Sequence, residues 1–98
     1  MDKRFYPITN FTVDVLVNGS QVCQGSNVSE DGIYIVTEQP FDLESPVWVE
    51  FIVGSVKFIS KAVVKSVHSS GVELNFLGLN GHQREYIGNY VEEKAKAA

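Results

Sequence analysis

Two short groups of side chains in this sequence have the chemistry to hold a small, planar, anionic ligand. One is the basic and aromatic start of the chain, Lys3-Arg4-Phe5-Tyr6-Pro7. Ammonium and guanidinium groups bind phosphate through charge-assisted hydrogen bonds, and a guanidinium also stacks on a planar ring. The other is the polar bend Asn27-Val28-Ser29-Glu30-Asp31-Gly32. Asn27 offers an amide and Ser29 a hydroxyl, the groups that meet the edge of a base. Both also hydrogen-bond nearby backbone and so hold a bend open. Gly32 is expected to supply a positive φ, which other residues reach only at a steric cost.

The remaining reactive side chains do not assemble into a catalytic or metal-binding pattern. Cys23 is the single cysteine, so it has no partner for an internal disulfide. Its neighbours Val22 and Gln24 bring no positive charge to activate a thiol, and it reads as a small strand residue. His68 and His82 have no nucleophile or ligand set at useful spacing, and the carboxylates are scattered over loops and helix ends. No catalytic residue, metal or resident cofactor is expected, and the chain reads as a binding module rather than an enzyme.

Strands must position the two groups. Phe11, Val13, Val15 and Val17 alternate on one face of a first strand over residues 11–17. Asn18-Gly19 is the strongest hairpin signal in the chain and predicts a type I′ turn. A return strand is expected over 21–28, with Gly25 as a bulge, and the bend then leads into a strand over 33–38. If the first strand and its return pair as a hairpin, the arm and the bend come to the same end of the sheet. Chain order thus allows them to converge on one ligand.

Further along, a loop with Pro40 and Pro46 precedes a strand over 47–53, and Gly54-Ser55 makes a second tight turn. The run 56–67 sets Lys57, Lys61 and Lys65 in phase with Ile59, Val63 and Val67. That mixture predicts a twisted or bulged strand whose facing changes midway, with the lysines solvated. Ser69-Ser70-Gly71 turns the chain into a sixth strand over 72–77. The period then changes: Tyr86, Ile87, Tyr90 and Val91 share one face of a helix over 80–95, with Asn80 as its cap. The expectation is a mainly β, single-domain chain over 1–98. It comprises an arm (1–10), a small antiparallel six-stranded β-barrel (11–77) and one C-terminal α-helix.

The arm, the strand after it and the Asn-x-Ser-x-x-Gly turn together resemble the PilZ domain family. In that family an Arg-x-x-x-Arg arm is followed by a strand, an Asp/Asn-x-Ser-x-x-Gly turn, a small barrel and a closing helix. The turn matches in full at Asn27, Ser29 and Gly32, and Gly71-Val72-Glu73-Leu74-Asn75-Phe76 resembles the family's late Gly-Val-x-Phe strand. The resemblance implies a bacterial signalling receptor for cyclic di-GMP, a second messenger with two guanines and two phosphates. It would have Asn27 and Ser29 meet one guanine beside Gly32, while Lys3 and Arg4 meet phosphate and guanine. The arm departs from the pattern: Lys3 stands at the first arginine position and Pro7 at the second. A lysine makes no planar bidentate contact and a proline donates nothing, so binding is expected to be weak. The alternative is a PilZ-like adaptor that takes no nucleotide and works through a protein effector, with Tyr6, Phe41 and Trp48 as its exposed aromatics.

Composition agrees with a compact domain and excludes some partners. The chain has 98 residues, 44% of them hydrophobic, enough for one core and too few for two domains. Its net charge of −4 argues against a polymeric nucleic-acid partner, whose affinity rests on many phosphate contacts. No apolar run approaches the ~20 residues of a membrane helix, and the start has no apolar leader core, so a cytoplasmic module with no membrane insertion is expected.

Overall fold

The computed structural model describes residues 12–97. The arm, with Lys3, Arg4, Tyr6 and Pro7, lies outside the described residues, as does Phe11. Six strands and one helix follow in order: β1 (Thr12–Val17), β2 (Gln21–Ser26), β3 (Gly32–Val36), β4 (Pro46–Val53), β5 (Val56–Val67), β6 (Gly71–Phe76) and α1 (Gly81–Ala97). The strands close into a barrel in the order β1-β2-β3-β6-β5-β4. Every neighbouring pair is antiparallel. The fold is the six-stranded barrel with a closing helix that the alternation and turns predict.

Alternation decides what faces inward. Val13, Val15 and Val17 of β1, Ile33 and Ile35 of β3, and Val47, Val49, Phe51 and Val53 of β4 all point into the barrel and are buried. Phe51 stacks between Phe58 and Phe76, with ring centroids 5.5 Å apart on both sides. Each such side chain stabilises the fold by roughly 1.5–3 kcal/mol relative to exposure. The buried Cys23 is one of these core residues.

Asn18 (φ 52°) and Gly19 (φ 74°) both lie in the left-handed region, as a type I′ turn requires. The bend differs from expectation: its left-handed residue is Asn27, at φ 51°, and Gly32 is not in that region. Gly32 is required for another reason. A Cβ there would stand 2.0 Å from the Leu74 carbonyl oxygen on β6. Gly25 makes no bulge either; it pairs in regular register with Val13 and Ile35, leaving room for the side chains of Val15 and Ile33.

The bulge falls in β5 instead. Phe58, Ser60, Ala62 and Val64 face inward, while Lys57, Ile59, Lys61, Val63 and Lys65 face outward. Val64 pairs with Leu74, but Ser66 pairs with Glu73, which leaves Lys65 as the extra residue. The facing therefore changes at Lys65 rather than midway, and it carries Ser66 to the outer surface.

Helix α1 begins with a reciprocal cap. The Gln83 amide N–H donates to Asn80 Oδ1 (2.8 Å), and the Asn80 N–H donates to Gln83 Oε1 (2.9 Å). Ile87 is fully buried in the core, with Tyr86, Tyr90 and Val91 packed against it. Phe41 is half-buried against the same core, so it is not the exposed aromatic that the adaptor alternative assigns to it.

Candidate ligand-binding site

The bend between β2 and β3 is tied down from within and from two neighbouring elements. Ser29 Oγ accepts the backbone N–H of Asp31 and of Gly32, each at 3.2 Å. The Ser29 N–H donates to the Gly32 carbonyl (2.9 Å), and the Asp31 carbonyl accepts the Phe76 N–H (2.9 Å). From α1, Arg84 spreads its guanidinium over the back of the bend. Nη1 donates to the Glu30 carbonyl (2.9 Å), Nη2 to the Phe76 carbonyl (3.3 Å) and Nε to the Leu79 carbonyl (3.3 Å). Its ion pair with Asp31 Oδ1 is 3.4 Å long with a carboxylate 81% exposed, so water screens it and it adds little. The three carbonyl bonds are what join helix, bend and β6.

In front of the bend opens a concavity of about 700 Å³. Asn27, Ser29, Asp31 and Gly32 line it on one side, Lys65 lines it from β5, and His68, Ser69 and Ser70 line it from the β5–β6 turn. Between them lie Tyr34, Glu73 and Asn75, the outward positions of β3 and β6. The Lys65 bulge shapes this surface, because it turns Ser66 outward opposite Glu73. The Ser66 hydroxyl donates to Glu73 Oε1 (2.9 Å). With that proton committed, Ser66 Oγ accepts from His68 Nε2–H at 3.0 Å. His68 is thereby set in its Nε2-protonated tautomer, and Nδ1 has no partner among the described residues. The Tyr34 hydroxyl is hydrogen-bonded to Ser70 Oγ. The Tyr34 and His68 rings stand 5.9 Å apart at 50°.

A serine, a histidine and a glutamate in a row do not make a nucleophile here. In a hydrolytic triad the histidine takes the serine proton and the carboxylate holds the other ring nitrogen. In this chain the carboxylate takes the serine proton itself, and the histidine is a donor to the serine. The group braces the surface and presents polar edges, which suits binding.

Charge sets a limit on what the concavity holds alone. Among the residues lining it, Lys65 is opposed by Asp31 and Glu73. A phosphodiester seated here needs cations from outside the described lining.

Of the residues singled out by sequence, Asn27, Ser29 and Gly32 come together at one lip of the concavity. Lys3 and Arg4 lie outside the described residues. Sequence reasoning missed Tyr34, Ser66, His68, Ser70, Glu73 and Arg84. Tyr34 and Glu73 were readable as outward positions of their strands. Ser66 required the bulge, and Arg84 carries no local signal, since its partners lie on the bend, on β6 and in the β6–α1 connection. No curated protein matches the sequence. The model of the PilZ domain family matches residues 2–93, a span that takes in the basic arm as well as the bend.

Proposed function

The chain belongs to the PilZ domain family, whose members are receptor-type modules for cyclic di-GMP, and from that premise we propose that it binds this dinucleotide at the bend and its concavity. Asn27 and Ser29 meet a guanine edge, Gly32 lets the backbone close up behind them, and Lys3 and Arg4 supply the charge for phosphate. The observation that carries this reading is the bend itself: Asn27 and Ser29 stand at the lip of a polar concavity, on backbone held by Ser29 Oγ and Arg84. A site ordered before the ligand arrives loses less entropy on binding. The shortage of cations in the lining gives the arm its task, and the missing second arginine makes binding weak. One charge-assisted contact is worth about 1.5–3 kcal/mol, or one to two decades of affinity. The module works as a cytoplasmic signalling receptor.

Calorimetry on the full chain tests this, with GMP and GTP as controls. The expected result is binding of cyclic di-GMP at micromolar strength or weaker, lost in Arg4→Ala and reduced in Ser29→Ala. No heat at millimolar dinucleotide would overturn it.

A second reading is supported by the outer face of β4 and β5, where Trp48, Ile52 and Ile59 are 54%, 55% and 56% exposed. On that reading the chain is an adaptor for a protein effector and takes no nucleotide. Apolar side chains grouped on an outer sheet face favour a protein contact.

A further inference from the structure

Within the concavity, the rings of Tyr34 and His68 together have the construction of a platform for a flat ring. We propose that Tyr34 and His68 form a base-stacking and base-reading wall, and that they set the preference of the site for a purine. This rests on the nucleotide-receptor reading above and adds to it the residues that recognise the ligand's second planar surface.

Three observations carry it. First, both rings line the concavity and stand 5.9 Å apart at 50°, so together they offer tilted aromatic surfaces to one occupant. Second, each ring is anchored at its polar end by a neighbour rather than by the core. The Tyr34 hydroxyl is bonded to Ser70 Oγ, and His68 Nε2 donates to Ser66 Oγ, which in turn donates to Glu73. Anchored rings keep their faces available, and little side-chain freedom remains to be lost when a base stacks on them. Third, the relay fixes the tautomer: with Nε2 donating, neutral His68 has an acceptor at Nδ1. A guanine edge carries N–H donors that match an acceptor, whereas the bend presents the amide and hydroxyl at the other lip. The two walls thus divide the work, one reading a base by its edge and the other holding a base by its face. Stacking on an aromatic side chain commonly changes affinity tenfold or more per base.

The anchors also give a bracing role to the same groups, because the Tyr34–Ser70 bond ties β3 to the β5–β6 turn. The test separates bracing from stacking. Tyr34→Phe keeps the ring and removes the hydroxyl; Tyr34→Leu keeps an apolar side chain and removes the ring. The full-length variants are titrated with cyclic di-GMP by calorimetry, and the unmodified chain is titrated by NMR with the Tyr34 and His68 side-chain resonances assigned. We expect Tyr34→Leu to weaken binding about tenfold and Tyr34→Phe to stay within about threefold. In the unmodified chain the Tyr34 ring and His68 Hδ2 signals move upfield, the ring-current signature of a stacked base. If Ser29 and Gly32 amides respond to the dinucleotide while Tyr34→Leu binds normally and the ring signals stay put, the stacking wall is overturned and the receptor reading stands. If nothing responds at millimolar dinucleotide, both are overturned.

Discussion

On the β3–β6 side of the barrel, outward side chains are bonded to one another around a hollow: Ser66 to Glu73, His68 to Ser66, Tyr34 to Ser70, and Ser29 to the amides of its own bend. On the β4–β5 side the outward residues are Trp48, Ile52 and Ile59, set among Lys57, Lys61 and Glu50. Their cross-strand register is Trp48 with Lys61, Glu50 with Ile59, and Ile52 with Lys57, and Lys57 also pairs with Glu50 at 2.7 Å. The first surface is polar and already ordered, as suits a small ligand that must find its contacts in place. The second sets exposed apolar side chains among charged ones, and its apolar part gains stability only when a partner removes it from water. The receptor and adaptor readings thus occupy different faces of one barrel, and mutations can address them separately.

The largest effect is expected where the ordered face is built on backbone. In Gly32→Ala the new Cβ meets a carbonyl oxygen that is itself part of the β3–β6 pairing, so no flexible side chain can yield. We expect a loss of at least about 3 kcal/mol, read in thermal unfolding as a fall in Tm of more than about 10 °C. A stable Gly32→Ala protein would mean that the bend adapts, and the contrast between the faces would weaken.

Arg84→Ala comes next. Removing a guanidinium that serves three carbonyls is expected to cost about 1.5–3 kcal/mol in urea unfolding and to speed amide exchange at Asp31 and Gly32. Arg84→Lys restores only part of this, because an ammonium cannot span the fork. Ser29→Ala leaves the Asp31 and Gly32 amides without their acceptor, so about 1 kcal/mol of stability and about a decade of dinucleotide affinity should go together. Trp48→Ala is the smallest and the sharpest as a contrast. On the ordered-face account it shifts stability by under about 1 kcal/mol and leaves dinucleotide affinity unchanged. A tenfold change would show that the two faces are not independent.

How much of this was legible in the chain follows from how local each signal is. Asn18-Gly19, the alternation in β1 and the Asn80 cap are set by neighbours in sequence, and each stands where the residues place it. The bend was legible in outline, but the roles of Asn27 and Gly32 were not. Asn27 takes the left-handed region, and the need for glycine at position 32 depended on Leu74, a strand away on β6. The β5 lysines announced an irregularity without its position, because Lys65 becomes the bulge only through the pairing of Ser66 with Glu73. Arg84 acts through partners brought by the barrel's closure; Tyr34 is readable as an outward strand position but its partner Ser70 is not, and His68 meets Ser66 only because the bulge turns that residue outward.

The claim at the centre is that the ordered β3–β6 face is the ligand face. It is tested most directly by following backbone amides and the Trp48 indole N–H in the full ¹⁵N-labelled chain as cyclic di-GMP is added. The account predicts shifts gathered at residues 27–34 and 68–71, saturating at micromolar or higher dinucleotide, with the Trp48 indole unmoved. Shifts centred on Trp48, Ile52 and Ile59, or none at millimolar dinucleotide, would contradict it.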